Sequence, residues 1–160
     1  MSARAWRPLS TLGIWGAFFT GTAGACGVIP SDLLGYTHQA EVAYGLPQNL
    51  LVSLVWAESR YCVRAENTGS GAVGLGQLLP GTASDMGVAD RLNPVQNLYG
   101  SARYLRLMWD TFRDWNRAVL AYHDGPGNVG AGHASPAGQR HVAVVLGTYA
   151  AIQKQGGLRW

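Results

Sequence analysis

The chain has 160 residues, of which 48% are hydrophobic and 13% are charged, and its formal net charge is +3. This length indicates one domain. The small positive charge is not gathered into a basic run, which excludes nucleic acid as the expected partner.

The first 25 residues have the pattern of an export signal. Arg4 and Arg7 precede the uncharged segment LSTLGIWGAFFTGTAGA, which ends in the small residues Ala-Gly-Ala. A basic start, an apolar centre and an A-x-A-like end are typical of a cleaved signal peptide. We therefore expect 1–25 to be a signal peptide and 26–160 to be a domain exported to the periplasm. An uncleaved transmembrane anchor is the alternative, although glycines and threonines make the segment weakly hydrophobic for a span.

Two cysteines, Cys26 and Cys62, are the whole cysteine content. In an exported chain an even number predicts a disulfide. The closed loop of about 36 residues is worth roughly 3–4 kcal/mol. The alternative is a lipid on Cys26, which would keep the protein at the membrane. Lipoprotein signals usually carry a branched apolar residue three positions before that cysteine, and this chain has Ala23 there.

The remaining sequence has the apolar spacing and capping residues of a series of helices. The predicted helices cover residues 31–44, 47–59, 80–87, 93–112, 114–122 and 135–149. Glycine and proline predict loops at 65–79 and in the segment HDGPGNVGAGHASP. No alternating run is long enough to predict a strand.

One loop, GSGAVG at 69–74, fits the G-x-G-x-x-G pattern of a dinucleotide site. That fingerprint requires a strand before the loop and a long helix directly after it. Here the polar segment RAENT precedes the loop, and Pro80 prevents a long helix from starting there. We therefore exclude a dinucleotide site and expect no cofactor.

Glu58 ends the most apolar predicted helix, LLVSLVWAES. Burial and the negative end of the helix dipole both disfavour a carboxylate there, which raises the pKa toward that of an acid protonated near neutrality. A solvent-facing glutamate is the alternative. Gln77 offers a donor and an acceptor, and Tyr122 and Trp56 offer flat apolar faces. Together with the glycine backbone amides, these residues indicate a carbohydrate cleft with one acid.

Four sequence blocks stand out in chain order, namely Glu58-Ser59, GAVGLGQLLPGTA from Gly71, NPVQNLYGSARYL from Asn93 and AVLAYHDGPGNV from Ala118. Together they resemble the soluble lytic transglycosylase family. That family has, in the same order, an E-S pair and the stretches G-A-x-G-L-M-Q-x-x-P-x-T-A, N-P-x-x-N-I-x-x-G-x-x-Y-L and A-Y-N-A-G-P-G. The resemblance implies a mainly α, lysozyme-like single domain of the goose-type lysozyme and lytic transglycosylase kind.

The resemblance also implies roles for single residues. The catalytic glutamate falls on Glu58. The implied substrate-binding residues are Ser59, Gly74, Leu75, Gly76, Gln77, Tyr122 and His123. The chain departs from the family at Gly76, which replaces methionine and is expected to remove an apolar wall of the cleft or leave it to be filled from elsewhere. It departs again at His123 and Asp124, which replace asparagine and alanine.

The implied reaction cleaves the β-1,4 bond between N-acetylmuramic acid and N-acetylglucosamine in peptidoglycan. Glu58 protonates the leaving oxygen, and as a carboxylate it then removes the proton from the sugar's C6 hydroxyl, which closes a 1,6-anhydro ring. Unlike most glycoside hydrolases, this reaction needs no second carboxylate. One alternative is a hydrolytic lysozyme with Asp124 as the second carboxylate. The other is an inactive peptidoglycan-binding scaffold.

A short domain behind an export signal is also similar to accessory enzymes that open the wall for secretion, conjugation or pilus machines. We therefore expect peptidoglycan glycan strands as substrate, a possible machine partner and a monomer. The four histidines lack the spacing of metal ligands, so no metal site is expected. They are His38, His123, His133 and His141.

Overall fold

The computed structural model describes residues 26–158, so the predicted signal peptide at 1–25 lies outside the described residues. The described part of the chain is mainly helical, which confirms the predicted fold class. Its elements are α1 Ser31–Tyr44, α2 Leu50–Ser59, β1 Glu66–Asn67, β2 Ala72–Val73, α3 Pro80–Asp85, α4 Pro94–Phe112, α5 Trp115–Asp124, α6 Pro126–Gly130 and α7 Pro136–Lys154. Across residues 26–158, no helix combines the length and the apolar character needed to cross a membrane.

Helix α2 lies at the centre of the core. Its residues 50–55 are all buried, so it has no polar face in its first six positions. A helix that is apolar on every side is stable only when other elements surround it. Helices α1 and α7 pack against α2, while α4 packs against α1 and α5, and α5 packs against α7. Glu58, in the last turn of α2, therefore stands at the edge of the core.

The start of α2 differs from the prediction. The helix begins at Leu50 rather than at Pro47, because a side chain from α1 caps it there. The buried carboxylate of Glu41 accepts hydrogen bonds of 2.9, 2.8 and 3.3 Å from the backbone N–H groups of Asn49, Leu51 and Val52. These are donors that a helix start leaves unsatisfied. The cap comes from another helix, so the spacing of the α2 sequence could not reveal it.

The predicted loop at 65–79 contains a small hairpin. Strands β1 and β2 pair antiparallel, with Glu66 opposite Val73. Gly71 and Gly74 have φ angles of 76° and 82°, which favour glycine. The guanidinium of Arg91 donates to the carbonyl oxygens of Gly71 and Leu78 at 2.7 and 2.9 Å. The glycines thus form a turn that Arg91 holds in place. The helix α3 that follows has six residues, which is too short for a dinucleotide-binding fold.

Three predicted helix caps are present. The side chains of Asn93, Asp114 and Ser135 accept hydrogen bonds from backbone N–H groups at the starts of α4, α5 and α7. The predicted loop between α5 and α7 differs, because it contains the short helix α6 with Pro126 at its first position. Five residues are too few to show a helical period, and three of these are glycine or proline.

A disulfide joins Cys26 to Cys62, with 4.5 Å between the two Cα atoms. This is the pairing that the even cysteine count predicted. The bond connects the segment before α1 to the segment after α2, where the N–H of Gly27 also donates to the carbonyl of Arg60 at 2.7 Å. The chain that leaves the helix of Glu58 is therefore held covalently.

Candidate active site

A cleft of about 410 Å³ opens beside the end of α2. The hairpin and α3 form one side of it, and the end of α5 forms the other. Four of the predicted site residues line it, namely Glu58, Gln77, Tyr122 and His123. Tyr104 of α4 also lines the cleft, and its ring packs against that of Tyr122 with 5.0 Å between the ring centres.

Glu58 is the acid of this cleft. Its side chain is 14% exposed, so one edge of the carboxyl group meets the cleft while the rest is enclosed. Burial raises the pKa of Glu58 to about 8. Such a group carries its proton at neutral pH and can donate it to a substrate atom. The sequence-based expectation of a raised pKa agrees with this environment.

His141 of α7 lies directly against Glu58, with 3.3 Å between Nε2 of His141 and Oε1 of Glu58. Burial lowers the pKa of His141 to about 4, so the imidazole is uncharged at neutral pH. Sequence reasoning missed this residue as part of the site. The available signal was its position one helical turn before the fully buried Val145, which places a polar ring on the inward stripe of α7.

Tyr122 connects the cleft to the glycine-rich turn. Its hydroxyl donates a 2.8 Å hydrogen bond to the carbonyl oxygen of Gly76. Burial is the largest of the causes that raise the pKa of Tyr122 well above its usual range, so the hydroxyl stays protonated as a donor. With its hydroxyl engaged, the ring of Tyr122 is the part of the side chain available to a ligand.

The backbone of Gly74, Leu75 and Gly76 supports the cleft from behind. The N–H of Gly76 donates to Oδ1 of Asn97 at 2.7 Å, and the N–H of Gly74 donates to the carbonyl of Ala65 at 2.8 Å. Leu75 is fully buried. These two glycine amides, expected to meet the substrate, are instead used within the protein.

Of the two outcomes expected at Gly76, a missing wall or a wall filled from elsewhere, the structure has the second. A Cβ atom there would lie 2.8 Å from Cβ of Ser101 and 2.9 Å from the hydroxyl oxygen of Tyr122, closer than real Cβ atoms come. The position where the family carries methionine is therefore filled by Ser101 and Tyr122 from α4 and α5. No gap in the wall results from Gly76.

Ser59 and Gln77 have different surroundings. The hydroxyl of Ser59 is buried and donates to the carbonyl of Val55 at 3.3 Å, within its own helix. The side-chain amide of Gln77 donates to the carbonyls of Ala65 and Gly74 at 3.2 and 3.0 Å. These two bonds fix the orientation of the Gln77 side chain, which lines the cleft.

The carboxylate of Asp124 is occupied by hydrogen bonds. Its Oδ2 accepts from the N–H of Ser135, and its Oδ1 accepts from the hydroxyl of Ser135 and pairs with Nδ1 of His123, each at 2.7 Å. Burial acts to raise the pKa of Asp124, but the bonds from Ser135 and His123 outweigh it and lower the pKa. Asp124 thus links the end of α5 to the start of α7.

Two further expectations concern Trp56 and metals. The Trp56 ring is covered by the guanidinium of Arg60, 5.0 Å from the ring centre, and Tyr104 supplies the second aromatic wall instead.

Throughout residues 26–158, no three acidic, histidine or cysteine side chains come together as a metal site.

The comparisons with known proteins agree with this geometry. The family described as the transglycosylase SLT domain matches residues 35–142. A transglycosylase of Enterobacteria phage PRD1 is 43% identical, over 54% of this chain and 32% of its own length. A membrane-bound lytic murein transglycosylase F of Thiobacillus denitrificans is 33% identical, over 61% of this chain and 22% of its own. The chain thus spans a third or less of these relatives.

The fold is also similar to solved structures. An inactive mutant of the lytic transglycosylase Slt from Pseudomonas aeruginosa superposes with a TM-score of 0.67 at 25% identity, covering 78% of this chain and 24% of that chain. The 70 kDa soluble lytic transglycosylase of Escherichia coli gives a TM-score of 0.57 at 21% identity, over 69% of this chain and 22% of that chain. The second likeness concerns the fold alone.

Proposed function

Because this chain belongs to the transglycosylase SLT domain family, we propose that it is a peptidoglycan lytic transglycosylase. It cleaves the β-1,4 bond between N-acetylmuramic acid and N-acetylglucosamine and leaves a 1,6-anhydro end. One observation carries the proposal. Glu58 is a buried carboxylic acid at the edge of a cleft that Asp124 also lines, and the carboxylate of Asp124 is already engaged in three hydrogen bonds with Ser135 and His123.

The reaction uses Glu58 twice. As an acid it gives its proton to the glycosidic oxygen, and the C1–O bond breaks with the electron pair leaving on that oxygen. The carboxylate then takes the proton of the C6 hydroxyl as O6 bonds to C1, which returns Glu58 to its acid form and consumes no water. A group with a pKa of about 8 retains its proton for the first step and is a strong enough base for the second.

The cleft suits a sugar chain. The rings of Tyr104 and Tyr122 present apolar faces to the sugar, and Oε1 of Gln77 accepts a hydrogen bond from an N-acetyl N–H or a hydroxyl. His123 lies at the rim, where its ring can also meet a sugar hydroxyl. Ser59 and the 74–76 backbone act indirectly, because they hold Glu58 and Gln77 in place.

A hydrolytic lysozyme is the second candidate, and Asp124 is the residue on which it depends. A carboxylate that activates water has to be a strong enough base to take the water's proton. Burial acts to raise the pKa of Asp124, but the hydrogen bonds that it accepts from Ser135 and makes with His123 lower the pKa, which makes its carboxylate a weak base. We therefore favour the transglycosylase. The inactive scaffold is disfavoured, since a buried acid costs stability and has no use in a protein that only binds.

We further propose that residues 1–25 direct export and that the enzyme acts in the periplasm as a monomer. Its working partner is a secretion, conjugation or pilus apparatus that has to pass the wall. The murein transglycosylases named among the relatives support a site of action at the cell wall. Pull-down of the protein from cross-linked envelopes tests for such an apparatus. The same pull-down with the Glu58→Gln variant shows whether the apparatus is captured when the wall is not being cleaved.

The deciding experiment is mass spectrometry of the products released from purified sacculi by the protein and by its Glu58→Gln variant. Glycan ends lighter by one water, released only by the unmodified protein, are expected. Ordinary reducing ends would support the hydrolase, and Asp124→Asn would then have to abolish them. Sacculus binding without release by either protein would support the scaffold.

A further inference from the structure

We propose that His141 is the positioning residue of Glu58. Its Nε2–H holds Oε1 of the carboxyl group, which leaves Oε2 to carry the proton to the substrate. The inference rests on the proposed function, in which Glu58 is the acid and base. It assigns a role in the reaction to a residue that no sequence block of the family resemblance includes.

The first support is an unsatisfied buried atom. Nε2 of His141 is buried and has no well-aligned hydrogen-bond partner anywhere in residues 26–158. A buried polar atom without a partner is costly, so native proteins rarely leave one. The nearest oxygen is Oε1 of Glu58, 3.3 Å away. This oxygen is within hydrogen-bond distance of Nε2, and we assign it as the partner of the imidazole.

The second support is the protonation state of the pair. Burial raises the pKa of Glu58 to about 8 and lowers the pKa of His141 to about 4, so at neutral pH the carboxyl group is protonated and the imidazole is uncharged. A neutral imidazole carries one N–H, and the hydrogen bond it makes selects which nitrogen bears it. As the Nε2–H tautomer, His141 donates to Oε1 whether Glu58 is an acid or a carboxylate. The catalytic proton is then confined to Oε2.

The third support is the backing of the His141 ring. The ring of His123 packs on it with 5.0 Å between the ring centres, and Nδ1 of His123 is held by Asp124 at 2.7 Å. Asp124 is itself fixed by Ser135 at the start of α7. The two departures from the family pattern, His123 and Asp124, thus build the support of the residue that touches Glu58.

The titratable groups around His141 are consistent with a neutral ring. Glu58 faces it from α2, and His123 and Asp124 face it from α5. Burial is the largest influence and lowers the pKa of His141, the charge of His123 lowers it further, and the charge of Asp124 acts in the opposite direction. The ring can therefore serve Glu58 without adding a charge to the cleft.

The test compares His141→Phe, which keeps a ring but removes the donor, with His141→Gln, which keeps an N–H donor. His133→Phe, in an exposed loop, is the matched control. We expect His141→Phe to lower kcat roughly tenfold with little change in KM, and His141→Gln to restore most of it. The donor stabilises the carboxylate form of Glu58, so its loss raises the pKa of Glu58. The alkaline limb of the pH–kcat profile should therefore shift to higher pH in His141→Phe and not in His141→Gln.

A second readout does not depend on activity. Carbon-13 NMR of the Glu58 carboxyl in the purified protein should show a titration midpoint roughly one pH unit higher in His141→Phe than in the unmodified protein and in His141→Gln. Unchanged midpoint and unchanged kcat in His141→Phe would overturn the inference, as would equal losses in both variants together with a raised KM. An inactive unmodified protein would instead refute the proposed function, while the titration would still decide whether His141 holds Glu58.

Discussion

The hydroxyl of Tyr122 bonds to the carbonyl oxygen of Gly76 across 46 positions of sequence, at 2.8 Å. This bond fixes the floor of the cleft, because it attaches the glycine-rich turn to α5. The same hydroxyl, together with the side chain of Ser101, leaves no room for a side chain at Gly76. The space beside Gly76 is therefore filled by Ser101 and Tyr122 instead of by a side chain at position 76.

Gly76→Ala is expected to lower the free energy of unfolding by about 1–3 kcal/mol, because the new methyl group overlaps Ser101 and Tyr122. Urea unfolding measures the change. Gly81→Ala is the matched control, since nothing lies within 4 Å of a Cβ atom there. Adding Ser101→Gly should recover part of the loss in a double-mutant cycle. Strictly additive losses would mean that the two residues do not share this space.

Glu58→Gln is expected to stabilise the protein in a pH-dependent way. Burial raises the native pKa of Glu58 to about 8 from 4.5, so the native state binds this proton more tightly than the unfolded chain. The contribution of Glu58 to stability is thus complete below about pH 4.5 and is lost as the pH rises toward 8, on the order of a few kcal/mol. The Tm gain of the variant should grow over that interval. A gain that is the same at pH 5 and pH 8 would contradict the raised pKa.

Glu41→Ala is expected to cost roughly 2–4 kcal/mol, because three backbone N–H groups at the start of α2 lose their acceptor inside the core. Glu41→Gln should cost less, since one acceptor oxygen remains. Denaturant unfolding gives both values, with the exposed Glu66→Ala as the control. Equal stability of the alanine variant and the unmodified protein would show that α2 finds another cap.

Reduction of the Cys26–Cys62 bond is expected to lower the free energy of unfolding by roughly 3–4 kcal/mol, because the loop of 36 residues regains its freedom in the unfolded chain. Calorimetry with and without reductant measures this. The double substitution of both cysteines by serine should behave like the reduced protein and be insensitive to reductant. Free-thiol labelling of the unreduced protein at both positions would contradict the bond.

The sequence predicted those features whose cause lies in neighbouring residues of the chain. The proline and capping residues at the starts of α4, α5 and α7 predicted those helices, and the apolar helix before Glu58 predicted the raised pKa. The sequence did not predict features that depend on a contact with a residue far away in the chain. Glu41 sets the start of α2 from α1, and Ser101 fills the space beside Gly76 from α4. His141 reaches Glu58 only because α7 packs on α2.

Helix α7 holds α2 at both ends. His141 meets Glu58 in the last turn of α2, and the side-chain amide of Gln153 donates to the carbonyl of Gln48 just before α2 begins, at 3.0 Å. During synthesis α2 emerges long before α7, so the acid stays without its second support until α7 has been made and docked. The candidate acid site is therefore completed only when two helices that lie far apart in the sequence have packed together.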